Sequence, residues 1–195
     1  MGSDPKRLDG LSDDESFAAL ALEHITGGVA RAHDVGRLQG AYDLDLLLPR
    51  GRVAAVEVTT VAGDGVRHRE ALLGPRSRGR ARRPPRGADE GVDLPDVLPA
   101  LVTELLLVPH VARRAAKVAG AVRVDERHLF VGIGRGHLGG GEFAALGRPV
   151  EGLPAADPDV EDDRLTDVWL TTSWQGAPLL RWSRTGGWAV HELVR

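Results

Sequence analysis

Polar and apolar positions alternate most cleanly in "YDLDLLLPRGRVAAVEVTT", Tyr42 to Thr60. The alternation and the β-branched content predict two strands, "YDLDLLL" and "RVAAVEVTT", joined through "PRG". Upstream the period lengthens to that of a helix. Ser12-Asp13-Asp14-Glu15 matches a capping box, and "ESFAALALEHIT" sets Phe17, Leu20, Ala21, His24 and Ile25 on one face before Gly27-Gly28 ends the run. "VARAHDVGRLQGA" then leads, as a short strand or loop, into the first carboxylate strand. Helical periodicity returns in "DVLPALVTELLLV", Pro109 breaks it, and "HVARRAAKVAGAV" forms a second helical piece. "RHLFVGI" reads as a buried strand. "TDVWLTTSW", "APLLRWSR" and "GWAVHEL" read as an antiparallel series carrying all four tryptophans.

The pattern dissolves elsewhere. From about residue 63 to 95 the chain has six arginines between Pro75 and Arg86 and almost nothing to bury, which predicts a long mobile basic loop. Residues 1–11 are polar and read as a disordered lead, and Val150 to Asp167 as an acidic, proline-punctuated connection. The expectation is one α/β domain over residues 12–195: a mixed sheet centred on the Tyr42–Thr60 hairpin, flanking helices and a tryptophan-rich antiparallel extension.

Composition narrows the chemistry. There is no cysteine, so disulfides and thiolate zinc sites are excluded. No apolar run reaches the length of a signal peptide core or a membrane span, so a cytoplasmic protein without membrane contact is expected. A net charge of -3 gives no global attraction to nucleic acid. Of the 25 lysines and arginines only Lys6 and Lys117 are lysines, a bias typical of GC-rich coding. Any role that requires an amine therefore has two candidates.

The two hairpin strands carry three carboxylates, Asp43, Asp45 and Glu57, and burying an ionised carboxylate without a partner is costly. Register decides whether they meet. With Pro49-Arg50-Gly51 as a three-residue turn, Leu48 pairs with Arg52, Asp43 lies opposite Glu57, and Asp45 and Thr59 share their face. A two-residue turn at Arg50-Gly51 would put Glu57 on the other face. In the odd register the acids converge within roughly 5–8 Å, and like charges that close are relieved by a cation. Hard oxygen ligands of this kind suit Mg²⁺, which keeps waters for a substrate phosphate.

A helix, an acidic strand, a hairpin turn and "VEVT", over roughly residues 12–60, resemble the PD-(D/E)xK superfamily of restriction-endonuclease-like proteins. The resemblance implies Mg²⁺-dependent phosphodiester hydrolysis on DNA or RNA, with Asp43 or Asp45 as the first acid, Glu57 as the second and Glu23 as the helix acid. It also implies a lysine two positions after Glu57, where this chain has Thr59. A hydroxyl supplies hydrogen bonds but no positive charge, so Lys117, in "RRAAKVAG", is the remaining candidate donor.

Other signals compete. An inactive nuclease-fold module that binds a protein or nucleic acid would carry the same hairpin, with the aspartates on a wet face and Glu57 paired to an arginine. Gly134, Gly136 and Gly139 form a G-x-G-x-x-G after a strand, which suggests nucleotide binding, but no second parallel strand ending in an acid follows. Arg76 to Arg86 could contact a phosphate backbone. His24 reads as a core histidine, His33-Asp34 as a loop hydrogen bond, and His128 and His137 show no metal-ligand spacing.

Overall fold

The computed structural model describes residues 5–33, 42–61, 94–134, 152–172 and 178–193. Seven strands lie side by side in chain order: β1 Val29–Ala32, β2 Leu44–Leu47, β3 Val53–Val61, β4 Glu126–Ile133, β5 Asp167–Thr171, β6 Leu179–Ser183 and β7 Gly187–His191. β1, β2 and β3 form an antiparallel meander, β3, β4 and β5 run parallel, and β6 and β7 return antiparallel. The fold is therefore the expected mixed α/β sheet. Its centre, however, is β4 and not the hairpin, because the C-terminal strands extend the same sheet. β4 is buried on both faces from His128 to Ile133, as an interior parallel strand requires.

Helix α1, Asp13–Thr26, begins with the expected capping box, Ser12 accepting from the Glu15 N–H while Glu15 accepts from Ser12 N–H at 2.7 Å. Gly27 ends it in a left-handed conformation, φ 67°. The buried stripe is Ala18, Ala19, Ala21 and Leu22. Leu20 is 54% exposed and His24 is exposed, so the helix is rotated relative to the face expected from its apolar spacing. Small alanines let α1 lie close to the sheet, and the bulkier Phe17 reaches Phe130 edge-on at 6.2 Å. The lead expected to lack structure is described from Pro5 onward. It makes a short 3-10 turn, Pro5–Leu8, and Arg7 clamps Glu23 through both guanidinium nitrogens. Between α1 and β1 the backbones crowd, and a Cβ on Gly28 would sit 2.8 Å from the Leu47 carbonyl oxygen. Gly28→Ala is thus expected to destabilise by about 1–3 kcal/mol, measured by urea unfolding.

Helices α2, Leu94–Leu107, and α3, Pro109–Ala119, link β3 to β4. Pro109 opens α3, where its missing N–H costs nothing, and the two axes bend by 87°. Leu98, Val102, Leu105, Val111 and Val118 pack from these helices onto Ala55, Val61, Leu129 and Val131 of the sheet. Each such buried side chain contributes about 1.5–3 kcal/mol. The opposite face, under α1, is built from Ala54, Val56, Val58, Phe130 and Trp169. Along β3 this alternation assigns odd-numbered positions, including Glu57 and Thr59, to the α2–α3 side. Among the described residues no single helix is long and apolar enough to cross a membrane. The Arg76–Arg86 run, Gly136, Gly139, His137 and Trp174 lie outside the described residues.

Candidate active site

The turn between β2 and β3 is the three-residue Pro49–Gly51, with Arg50 at φ 68° and Gly51 at φ 77° both left-handed. Leu48 N–H donates to Arg52 at 2.8 Å, Leu44 pairs with Val56 and Asp45 with Ala55. This is the odd register, and it holds as far as Leu44 with Val56. At Asp43 the ladder changes hands. Its N–H donates to Val56 at 3.0 Å, and its own Oδ2 takes the Val58 N–H at 2.8 Å. The Asp43 side chain thus replaces a backbone carbonyl, which locks its orientation.

Glu57 is fully buried, yet α3 brings two cations to it. Lys117 Nζ lies 3.1 Å from Glu57 Oε1, 2.9 Å from Oε2 and 3.6 Å from Asp43 Oδ1. Arg114 Nη1 bonds Glu57 Oε1 and lies 3.9 Å from Asp43 Oδ1. Residues 114 and 117 are one turn apart on a helix, so both point the same way. Of the two arginines in "RRAAKVAG", Arg114 is the one on the acid-facing side. Burial pushes both carboxyls up from their ordinary range. Asp43 is held back by the Val58 N–H and Lys117, whereas Glu57 is pushed further by the Asp43 charge before Lys117 and Arg114 offset it. The pair holds more negative charge than its surroundings favour.

The remaining expected residues separate. Thr59 is buried two positions along β3 from Glu57. Asp45 is engaged elsewhere: its Oδ2 meets His33 Nδ1 at 2.8 Å and its Oδ1 accepts from Tyr42 OH at 2.8 Å. His33 therefore bonds a carboxylate across the strands. Glu23 is structural, holding Arg7 and the Ala30 N–H at 2.7 Å. It ties the lead and β1 to α1. Of the α1 acids, Glu15 adds a minor negative field at the site, behind burial for Asp43 and behind Glu57 and Asp43 for Arg114. Its position in a capping box gave it a sufficient local explanation and hid this second effect.

A second constellation lies on the α1 side of the sheet. His128 Nε2 lies 2.8 Å from Glu126 Oε2 and 3.0 Å from Asp167 Oδ2. Glu126 and His128 are two apart on β4, and Asp167 is paired with His128 on β5, so all three share a face. Their ligand atoms lie within 4.8 Å of one another, and the group could hold a metal ion. Arginines already compensate its far oxygens, Arg52 on Glu126 and Arg181 on Asp167, the latter at 2.6 Å. Burial opposes a charge on His128, but Asp167 and Glu126 outweigh it and raise its proton affinity. Burial likewise opposes the Asp167 charge, yet His128 and Arg181 bring Asp167 down to about 2. No sequence spacing signals this group, because β4 and β5 become neighbours only through the sheet.

Trp169, Trp182 and Trp188 are buried packing residues; Trp182 Nε1 donates to Asp157 and Trp188 Nε1 to the Ala156 carbonyl, both at 2.8 Å. Compared with known proteins, the chain matches no family model, and no curated protein or solved structure shows significant similarity to it.

Proposed function

We propose that the chain is a restriction-endonuclease-like hydrolase that cleaves phosphodiesters of nucleic acid with Mg²⁺ at Asp43 and Glu57. The observation that carries this reading is Lys117. It reaches the two acids from α3, 2.9 Å from Glu57 and 3.6 Å from Asp43, and so provides the positive charge that Thr59 lacks. Two carboxylates that burial disfavours as anions fit a hard divalent cation, which needs only one or two of them. Bound there, Mg²⁺ would supply an acidified water and charge neutralisation at phosphorus.

The protein's own residues do the rest. Asp43 is oriented by the Val58 N–H and offers Oδ1 to the site. Lys117 holds its ammonium where a water attacking phosphate would lose a proton, and stabilises the hydroxide that results. Arg114, 45% exposed on its side chain, is free to exchange Glu57 for a substrate phosphate oxygen. Thr59 donates a hydrogen bond to water or phosphate. The Arg76–Arg86 run would contact the nucleic-acid backbone.

A second reading, an inactive nuclease-fold module, is favoured by one observation. Glu57 is already bridged to an arginine as well as to Lys117, so the acids are compensated without a metal. Calorimetric titration of Mg²⁺ and Mn²⁺ separates the two. Wild type is expected to bind with heat that Glu57→Gln abolishes, and to nick plasmid, single-stranded DNA or RNA in the same buffers. Absence of both heat and cleavage in wild type would leave the module.

A further inference from the structure

We propose that His33, oriented by Asp45, is the proton donor to the leaving oxygen in that cleavage. The inference rests on the hydrolase reading above and adds a residue to it. Strand pairing places His33 beside Asp43. The β1–β2 pairs run from Val29 with Leu47 to Ala32 with Leu44, so the next is His33 with Asp43, and His33 N–H donates to the Asp43 carbonyl at 2.9 Å. The β2–β3 pairing runs as far as Leu44 with Val56, and just beyond it Asp43 shares Lys117 with Glu57, the ammonium lying 3.6 Å from Asp43 Oδ1 and 2.9 Å from Glu57 Oε2. His33 is thus the β1 neighbour of Asp43, at the edge of the acid–lysine cluster.

The imidazole is fixed in orientation. Its Nδ1 bonds Asp45 Oδ2 at 2.8 Å, its ring stacks on Tyr42 at 4.0 Å and 23°, and the Tyr42 hydroxyl holds the other Asp45 oxygen. A carboxylate on Nδ1 sets that nitrogen as the donor and directs the chemistry of the ring to Nε2. Nε2 has no partner among the described residues, and a quarter of the side chain is exposed, so a substrate can reach it. The same geometry gives Asp45 a role other than metal binding: it is a positioning residue for His33. In the step, oxygen from the attacking water bonds phosphorus as the bond to the bridging ester oxygen breaks. The departing oxygen takes the proton from Nε2 of the His33 imidazolium, whose Nδ1–H stays on Asp45, the attacking water releases a proton to solvent, and solvent returns a proton to Nε2 of the neutral ring.

A sulfur leaving group tests this, because a thiolate departs without protonation. Oligonucleotides with oxygen or with sulfur at the bridging position are cleaved by wild type, His33→Gln and Asp45→Asn in Mg²⁺ and Mn²⁺. His33→Gln should slow the oxygen substrate by about 10²-fold or more and leave the sulfur substrate within a few-fold of wild type. Asp45→Asn should show the same selective loss to a smaller degree. Equal losses on both substrates, or no loss on either, would overturn the assignment of His33 while leaving the hydrolase intact. A wild type that cleaves neither substrate overturns the hydrolase reading and this inference with it.

Discussion

Lys117→Met and Glu57→Gln are both expected to abolish cleavage, while moving thermal stability in opposite directions. The activity losses follow from position. Lys117 is the one amine within reach of the acids among the described residues, and removing a charge that stabilises developing hydroxide in a water-poor site costs about 10²–10³-fold. Glu57→Gln removes half of the proposed metal ligands and should take activity to background. The stability signs follow from electrostatics. Asp43 and Glu57 both bind protons more tightly in the folded chain than in the unfolded one, through burial and, for Glu57, the Asp43 charge. A carboxyl shifted that way loses folded-state stability as pH rises through its ordinary range toward its raised value. At neutral pH the ionised pair is therefore a net cost. Replacing Glu57 with a neutral isostere relieves it, so Glu57→Gln is expected to melt above wild type. Lys117→Met does the reverse, since it leaves two close carboxylates with only the half-exposed Arg114 to offset them. Differential scanning calorimetry at pH 7, beside the cleavage assay, reads both signs. A Glu57→Gln variant that melts lower than wild type would show that the acids are a stabilising ion-pair cluster, as the module reading requires.

How much of this arrangement the sequence discloses depends on the range of the interaction. The hairpin was legible because alternation, a Pro-Arg-Gly turn and β-branched residues act within twenty residues of one another, and the odd turn set the register of Leu44 to Leu47 against Val53 to Val56. Helix α1 was legible from Ser12, Glu15 and Gly27 for the same reason. Its buried face was not, because alanines 18, 19 and 21 weigh little in an apolar pattern dominated by Phe17 and Leu20. Lys117 could be nominated only by elimination, in a chain with two lysines, and its reach depends on how α3 folds back over β3. Glu23 and Glu15 show the converse failure. Both lie on the expected helix, but Arg7, from a lead that looked unstructured, claims Glu23. His128 and Asp167, far apart in sequence and neighbours only through the β4–β5 pairing, had no local signal at all.

That last cluster carries the other large expected effect: Asp167→Asn should destabilise the fold by about 3 kcal/mol at pH 6, without touching the acid–lysine site. Asp167 is almost fully buried between His128 and Arg181, and breaking a buried pair by removing one partner typically costs about 3–5 kcal/mol. The lower end applies because Arg181, a third exposed, can turn to water. The pH dependence identifies the mechanism. Asp167 sits at about 2 against an ordinary 3.8, so its contribution, about 2 kcal/mol, is complete above pH 4 and disappears as pH falls toward 2. His128 is shifted the other way, so its contribution is complete below its ordinary 6.5 and is lost as pH rises through its raised value. The stabilisation contributed by this cluster, read as the urea-unfolding gap between wild type and Asp167→Asn in chelator-treated protein, should therefore be greatest between about pH 4 and 6.5. The gap should then narrow as pH rises through the raised value of His128, where wild type loses the imidazolium as well. The exposed pair Asp162–Arg164, 2.8 Å apart, serves as the control, and Asp162→Asn should change stability by no more than about 0.5 kcal/mol. A gap for Asp167→Asn that stays constant from pH 5 to 9 would mean that the cluster is held by packing and Arg181 alone, with His128 neutral throughout.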